Sequence, residues 1–298
     1  MKKIQFSRKW EEPIVAALFL IPALAFLGVY VVYSVLDAFH LSTLDWNGIS
    51  PERLSVGLAN WKALIVDKHF INAIKHNLFI VVASVVVQMP LAIGIAFMID
   101  RIGKKATPLK VVYYLPNLFS TAAVGMLFSF IFAARNGVFT VISQLFGGGK
   151  VDLLGHSSTA LMGVFIVICW TAIPYYMMFY IAAFSTLPGE VYEAAVIDGV
   201  NLRQYFFRIA LPMIKTSIKT ACTLSMIGSL KYFDLIFIMT EGGPNHGSEL
   251  MATYMYTTTF RARQMGYGAT IACGMFIVVV IFSLIFNFTA DKLLKGDD

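Results

Sequence analysis

Residues 193–212 of the chain read EAAVIDGVNLRQYFFRIALP, and this stretch predicts two short helices that meet at an angle. Pro188 lies just upstream and suits the first turn of the first helix. Gly199 ends that helix, because glycine readily adopts the left-handed backbone of a helix terminus. Asn201 then suits the N-cap of the second helix, with Gln204 three residues later as a variant of the capping box. The closing proline ends the second helix.

The composition around this stretch is that of a membrane protein. Of the 298 residues, 58% are hydrophobic and only 13% are charged, whereas a soluble domain carries about 25% charged residues. The mean hydropathy is +0.74. A single soluble core cannot cover this much apolar surface, because folded soluble proteins keep a mixed exterior. Membrane lipid therefore surrounds much of the chain.

Six apolar stretches are long enough to cross a bilayer, which takes about 20 helical residues. They cover residues 14–36, 77–99, 109–133, 158–183, 216–239 and 268–290. The first is too long for a removable signal peptide and lacks its small-residue cleavage site. Prolines interrupt several of them, at Pro22, Pro90, Pro116 and Pro174. Proline is tolerated in a membrane helix where neighbours or water satisfy the freed carbonyl, so the sequence predicts an all-α integral membrane bundle.

The positive charges predict the orientation of the bundle. Fourteen of the 23 Lys and Arg residues lie in the two termini and in the loops after the second and fourth stretches. Eight lie in the remaining, longer loops, which cover residues 37–76, 134–157 and 240–267. The even number of spans agrees with this bias, and both termini are expected to be cytoplasmic.

One membrane domain is the simplest organisation of the chain. It consists of a cytoplasmic N-terminal segment (1–13), a six-helix domain (14–290) with a cytoplasmic loop at about 185–215, and a cytoplasmic tail (291–298). The basic residues form short clusters between apolar runs instead of one patch, so we expect no nucleic-acid partner.

The spacing of residues within the 193–212 stretch points to a known protein family. The spacing Glu-Ala-Ala, three residues, Gly, nine residues, Ile, one residue, Leu-Pro resembles the EAA signature of ABC importer permeases. The chain matches it at Glu193, Ala194, Ala195, Gly199, Ile209, Leu211 and Pro212. The chain also resembles the carbohydrate branch of that family, the maltose, oligosaccharide and glycerol-phosphate type, at Tyr192, Asp198 and the Thr240–Pro244 turn. The alternative interpretation of the segment is an ordinary amphipathic loop helix that lies on the bilayer.

The resemblance implies a six-helix type I ABC importer permease in a bacterial cell (inner) membrane. Its implied partners are two cytoplasmic ABC ATPases, a second permease that is related but not identical, and an extracellular or periplasmic solute-binding protein. The coupling residues toward the ATPase would be Glu193, Ala194, Ala195, Asp198, Gly199, Ile209, Leu211 and Pro212. The two alanines are expected to form a low face that the ATPase approaches closely.

Motifs for chemistry are missing from the sequence. Gly147-Gly-Gly-Lys150 lacks the upstream glycine and the following Ser or Thr of a Walker A loop. Cys169, Cys222 and Cys273 have no partner at metal or disulfide spacing. We therefore expect no catalytic residue, no metal site and no cofactor in this chain, and ATP with Mg²⁺ would bind to the partner ATPase.

A solute route is expected near the bilayer midplane, between the helices. Sugar rings need aromatic faces, and their hydroxyl groups need neutral hydrogen-bond partners when they lose water. The candidate residues are Asn117, Thr121, Trp170, Tyr175, Ser225, Ser229 and Tyr232. Of these, Tyr175, Ser225 and Ser229 also lie near positions that contact sugar in related permeases. For the serines, the alternative is a bond to their own helix backbone or close helix packing.

Lys231 and Asp234 lie three residues apart in the fifth stretch, where charges are costly unless paired or hydrated. The spacing predicts an ion pair on one helix face, and a polar lining or outer gate contact is the alternative. Other functions also stay open at this point: import of glycerol-phosphate, phosphate, polyamines or amino acids on the same fold, an ion-coupled secondary transporter, or a membrane-embedded enzyme. An ion-coupled transporter would need intramembrane carboxylates in repeated halves, which the sequence lacks. A membrane-embedded enzyme would need a catalytic constellation, which is also missing.

Overall fold

The computed structural model describes residues 8–295, and almost all of its secondary structure is helical. Helices are the expected solution, because the lipid interior offers no hydrogen-bond partners to the backbone. The α-helices are α1 (Arg8–Leu27), α2 (Ser34–Leu41), α3 (Ala59–Val66), α4 (Lys68–Ala83), α5 (Met89–Ile102), α6 (Thr107–Tyr114), α7 (Thr121–Ile131), α8 (Val138–Leu145), α9 (Ala160–Phe184), α10 (Gly189–Ile197), α11 (Leu202–Tyr205), α12 (Leu211–Met213), α13 (Lys215–Leu230), α14 (Asp234–Met239), α15 (Met251–Tyr256) and α16 (Met265–Lys295).

Short helical turns of other kinds connect some of these elements. Those of π type are Gly28–Tyr33, Ser84–Gln88, Phe206–Ala210 and Thr257–Arg261, and those of 3-10 type are Gly103–Ala106 and Leu115–Leu118. Parts of the predicted N-terminal segment (1–7) and of the predicted tail (296–298) lie outside the described residues.

The described residues form two compact units. The smaller unit comprises residues 8–65 and Thr257–Gly274. It contains two short strands, β1 (Leu44–Asp45) and β2 (Leu54–Ser55), which pair antiparallel with Leu44 opposite Ser55. The larger unit comprises Val66–Tyr256 and residues 275–295. It contains both candidate sites described below.

All six predicted spans fall on helical stretches. Four are continuous apolar helices long enough to cross a membrane: Val15–Leu41, Lys68–Ile102, Ala160–Phe184 and Met265–Lys292. A fifth candidate span consists of two helical pieces, Thr107–Leu118 and Thr121–Ile131, that are bent by 91°. The remaining predicted span, 216–239, is divided between α13 and α14.

The bend in the third span begins at Pro116, which lies in the 3-10 turn after α6. Phe119 is extended, with φ −80° and ψ 146°. Ser120 then caps α7, and its Oγ accepts a hydrogen bond from the backbone N–H of Ala123 at 3.2 Å. The proline lacks an N–H for the helical ladder and the serine offers a new start, so the chain turns sharply here.

The fifth predicted span breaks because a neighbouring helix supplies an alternative hydrogen-bond partner. Helix α13 ends at Leu230, and residues 231–233 are not helical. The fully buried Asn77 of α4 donates through Nδ2 to the carbonyl oxygens of Ser229 at 2.9 Å and Leu230 at 3.2 Å. Its Oδ1 accepts from the backbone N–H of Met251 at 2.9 Å. Asn77 thus satisfies carbonyls that a helix end leaves without partners.

This break overturns the predicted ion pair in the same span. Lys231 caps the end of α13 and Asp234 begins α14, so the two residues do not share one helix face. Within residues 8–295 no ion pair joins them. Both side chains are exposed in the single chain.

The core of the larger unit lies between α5 and α9. Its largest fully buried side chains include Met89, Met177 and Tyr180, and the hydroxyl of Tyr180 lies 3.3 Å from the sulfur of Met89. Phe97 and Phe184 meet edge to face at a ring distance of 5.5 Å. This core continues into the 189–213 segment, which it holds in place.

Candidate functional site

The segment quoted at the outset forms two helical stretches, as predicted, but the second continues through Pro212 to Met213 instead of ending at the proline. Helix α10 ends where Gly199 adopts a left-handed backbone, with φ +73°. The N–H of Gly199 donates to the carbonyl of Val196 at 3.1 Å, and the N–H of Val200 donates to the carbonyl of Ala195 at 2.9 Å. This pair of bonds is the Schellman ending of a helix, which satisfies its last carbonyl groups.

The second helix begins with the predicted capping box. Asn201 Oδ1 accepts from the backbone N–H of Gln204 at 2.9 Å, and the N–H of Asn201 donates to Gln204 Oε1 at 3.0 Å. Local side-chain chemistry therefore determines the turn between α10 and α11, which fixes their relative direction. We call residues 189–213 the coupling segment.

The signature residues of the coupling segment divide between two faces. Glu193, Ala194, Asp198, Gly199 and Pro212 are exposed. The remaining three are buried or half-buried and belong to the α5–α9 core: Ala195, Ile209 and Leu211. The expectation that both alanines face a partner is therefore wrong for Ala195, which is 5% exposed. The helical repeat turns Ala195 toward the same side as Tyr192, three residues earlier.

The exposed face of the coupling segment is more apolar than a solvated loop requires. Ile197 is 86% exposed, and Val196, Leu202 and Phe207 are each more than half exposed. Glu193 lies beside them and forms no ion pair within the described residues. Exposed apolar side chains beside an acidic group are typical of a surface that another protein covers.

Arg101, in the last turn of α5, holds the inner face of the segment. Its guanidinium carbon lies 4.5 Å from the ring centroid of Tyr192, 5.4 Å from Tyr205 and 5.6 Å from Phe97. Its Nη2 donates to Asp100 at 2.8 Å. Tyr192 and Tyr205 also contact each other edge to face, at 5.0 Å. One cation thus joins α10 and α11 to the end of α5 through cation–π contacts.

The contact of Arg101 with the coupling segment could not be predicted from the sequence. It was one of the loop cations that predict orientation, and its partners Tyr192 and Tyr205 lie far along the chain. Two features of the sequence are consistent with the contact: an arginine at the end of an apolar helix and tyrosines close to the signature.

A cavity of about 300 Å³ lies where α9 passes the bend of the third span and the break of the fifth. Four predicted route residues line it: Asn117, Thr121, Tyr175 and Tyr232. Its other lining residues are Pro116, Phe119, Val124, Thr171, Ala172, Tyr176 and Leu235. Among the described residues that line it, none carries a charge. The cavity combines aromatic faces with neutral hydroxyl and amide groups.

Hydrogen bonds order these polar groups. Asn117 Nδ2 donates to the carbonyl of Thr171 at 3.1 Å, which joins the bent span to α9. The hydroxyl of Tyr232 lies beside Thr171, and the hydroxyl of Tyr176 lies beside Ser225. Sequence reasoning missed Thr171 and Tyr176, although Thr171 precedes Tyr175 by four residues and so shares its helix face.

The other three predicted route residues lie outside this cavity. Trp170 lines a separate, mainly apolar cavity of about 340 Å³ and packs edge to face on Phe128 at 5.1 Å. Ser225 and Ser229 are each 4% exposed. Ser225 lies beside the hydroxyl of Tyr176, which lines the cavity, and Ser229 Oγ donates to Ser84 Oγ at 3.4 Å.

Comparisons with known proteins agree with this arrangement. The chain is 32% identical to the probable ABC transporter permease protein YurN of Bacillus subtilis, over 92% of this chain and 95% of that protein. It is 29% identical to the probable starch degradation products transport system permease protein AmyD of Thermoanaerobacterium thermosulfurigenes, over 92% and 93%.

A solved structure has the same fold. It is a chain from the crystal structure of a bacterial alginate ABC transporter in complex with an alginate pentasaccharide-bound periplasmic protein. The TM-score is 0.85 at 20% sequence identity, with 97% of this chain and 99% of that chain covered. The helical bundle is therefore a type I ABC permease fold.

Residues 88–295, which include the coupling segment and most of the cavity, match the family described as binding-protein-dependent transport system inner membrane component. This match favours a transport subunit over the ion-coupled transporter and the membrane enzyme, and the ATPase of such a system is a separate subunit. The chain belongs to this family and is a multi-pass permease subunit of an ABC importer.

Proposed function

We propose that the chain carries a neutral sugar or oligosaccharide across the membrane, after delivery by an external binding protein. The supporting observation is the cavity around Tyr175 and Tyr232, which offers ring faces and neutral hydrogen-bond groups but no charged lining among the described residues. A carbohydrate presents the same two features, an apolar ring face and uncharged hydroxyl groups. The name of AmyD, which refers to starch degradation products, supports the same solute class.

The proposal includes an assembly and an orientation. The chain would pair with a second, related permease and two ATPase subunits that bind ATP and Mg²⁺ on the cytoplasmic side. The distribution of Lys and Arg supports cytoplasmic termini and a cytoplasmic coupling segment. Movement of the ATPases would reach the bundle through Glu193–Pro212 and switch it between its two open states.

Glycerol-phosphate, polyamines and amino acids are the alternative solutes. Each carries charge, and a charge in a membrane cavity is costly without a counter-charge. The uncharged lining therefore favours the sugar, and the preference for neutral over charged solutes is the property to measure.

Uptake into vesicles tests this function. The complete transporter, reconstituted with its ATPase subunits and binding protein, is expected to accumulate labelled maltodextrin only with ATP at the ATPase side. Tyr175→Ala should lower uptake about tenfold, since an aromatic contact is worth about 0.5–1.5 kcal/mol beyond its buried area and 1.4 kcal/mol corresponds to tenfold.

Tyr113→Ala is the matched control for Tyr175→Ala. The two tyrosines are 42% and 45% exposed, but Tyr113 lines the separate apolar cavity. Normal uptake in the Tyr175 variant would show that the solute does not pass through this cavity. Uptake driven by a proton or sodium gradient, or a preference for glycerol-phosphate over maltodextrin, would contradict the proposed function.

A further inference from the structure

Three metal-ligating side chains converge in the larger unit, away from the coupling segment and the cavity. They are His69, in the first turn of α4, and His246 and Glu249, in the loop between α14 and α15. One ligand atom from each lies within 4.8 Å of the other two. The centroids of the His69 and His246 imidazole rings are 4.1 Å apart. His246 Nδ1 lies 2.6 Å from Glu249 Oε2.

Two of these ligands, His69 and Glu249, are also held by contacts from outside the cluster. Asp67 caps α4, and its Oδ1 accepts from the backbone N–H of His69 at 2.8 Å. The backbone carbonyl of Glu249 accepts from His76 Nδ1 at 2.9 Å. His76 lies two turns after His69 on the same face of α4. The helix therefore holds one ligand directly and fastens the loop that carries the other two.

Neighbouring bonds fasten the loop a second time. Asn77 Oδ1 accepts from the N–H of Met251, two residues after Glu249. His246 adopts a left-handed backbone with φ +59°, a region that His enters more readily than most residues. The end of the loop that carries Glu249 is thus held against α4 at two points, Glu249 and Met251.

Burial and charge favour a cation at this point. Glu249 is only 4% exposed. A carboxylate in such a place is costly unless a positive charge or hydrogen bonds compensate it. The imidazoles of His69 and His246 are exposed, so a metal ion can enter from solvent.

The ligand set selects the kind of ion. Two imidazoles and one carboxylate are a set that Zn²⁺ binds in tetrahedral geometry, with water in the fourth position. Ca²⁺ and Mg²⁺ prefer sites made only of oxygen ligands. We propose that His69, His246 and Glu249 form a Zn²⁺ site that ties the α14–α15 loop to the start of α4.

The expected location gives the site access to external metal. The loop between α14 and α15 belongs to the stretch that the positive charges predict to lie outside. The site could not be predicted from the sequence, because His69 and His246 come from distant parts of the chain and match no metal-binding spacing.

Zn²⁺ titration of the full-length chain, purified in detergent without a polyhistidine tag, tests the site. A chromogenic chelator competes for the metal and reports stoichiometry and affinity. The wild type is expected to bind one Zn²⁺ per chain in preference to Mg²⁺ and Ca²⁺. Loss of a residue that only supports a metal ligand already weakens binding about 10–100-fold. His69→Ala, His246→Ala and Glu249→Gln should therefore each weaken binding by at least about 100-fold.

His156→Ala is the matched control, because His156 is also exposed and lies in another predicted outer loop. Thermal unfolding without metal confirms that each variant is folded, and Glu249→Gln keeps the shape of the side chain if the histidine variants are damaged. Absence of a one-to-one Zn²⁺ complex in the wild type would overturn the inference. So would wild-type affinity in the three ligand variants, or an equal loss in His156→Ala.

Discussion

Replacement of Arg101 by alanine is expected to reduce ATP-driven uptake by at least about tenfold while the chain remains folded and in the membrane. The guanidinium contacts Tyr192 and Tyr205, which belong to the two helices of the coupling segment. Cation–π contacts are worth about 0.5–2 kcal/mol each, and the apolar stem of arginine adds packing. Without Arg101 the segment loses part of its connection to α5, so ATPase movement should reach the bundle less efficiently. The measurement is solute taken up per ATP hydrolysed.

Two further variants distinguish loss of the cation–π contacts of Arg101 from loss of a positive charge. Arg101→Lys keeps the charge but loses the planar group that stacks on tyrosine, so it should restore uptake only in part. Lys105→Ala removes an exposed cation shortly after α5 and should leave the ratio unchanged. A normal ratio of uptake to hydrolysis in Arg101→Ala would show that this contact does not transmit force.

Substitution of Asn77 by leucine is expected to lower the free energy of unfolding by about 2–5 kcal/mol. Leucine keeps the volume but removes three hydrogen bonds, to the carbonyls of Ser229 and Leu230 and from the N–H of Met251. A buried polar group left without its partner costs about 1–3 kcal/mol, and hydrogen bonds between membrane helices average about 0.6 kcal/mol. Thermal unfolding of the purified chain in detergent measures the loss.

Asn287→Leu provides the control for that measurement. Asn287 is half-buried, and its amide donates only to the carbonyl of Ser283 in its own helix, at 2.9 Å. Its replacement should cost less than about 1 kcal/mol, because an exchange within one helix leaves no distant group unpaired. Equal losses in the two variants would contradict the role of Asn77 as the residue that ends α13.

Features set by neighbouring residues could be predicted from the sequence. The end of α10 depends on the left-handed backbone of Gly199, and the start of α11 depends on the exchange between Asn201 and Gln204. Both effects act within six consecutive residues. The apolar spans are predictable for a similar reason, because length and hydropathy alone decide whether a helix can cross lipid.

Features set by distant contacts could not be predicted. The fifth span reads as one continuous apolar helix, yet Asn77 of α4 accommodates its break after Leu230. The ion pair expected between Lys231 and Asp234 was wrong for that reason. Ala195 faces inward because the α5–α9 core occupies that side of α10, which the motif alone does not reveal.

For the cavity, too, the kinds of side chain are predictable from the sequence, but their placement depends on distant contacts. The composition of α9 predicts aromatic and hydroxyl groups somewhere along the route. Which of them line the 300 Å³ cavity depends on the rotation of the helix about its own axis, and the packing of neighbouring elements fixes that rotation. Tyr175 therefore lines the 300 Å³ cavity, whereas Trp170, five residues earlier, lines the other one.

Co-purification of the ATPase with the chain tests most directly whether the coupling segment receives the movement of that separate subunit. Glu193→Ala removes the exposed charge, and Gly199→Val forces a β-branched residue into a left-handed backbone. Both should lower ATPase recovery about tenfold and reduce uptake with it. Glu52→Ala, which removes an exposed glutamate in a predicted outer loop away from the coupling segment, should leave recovery unchanged. Wild-type ATPase recovery and uptake in both the Glu193 and the Gly199 variants would contradict this role of the segment.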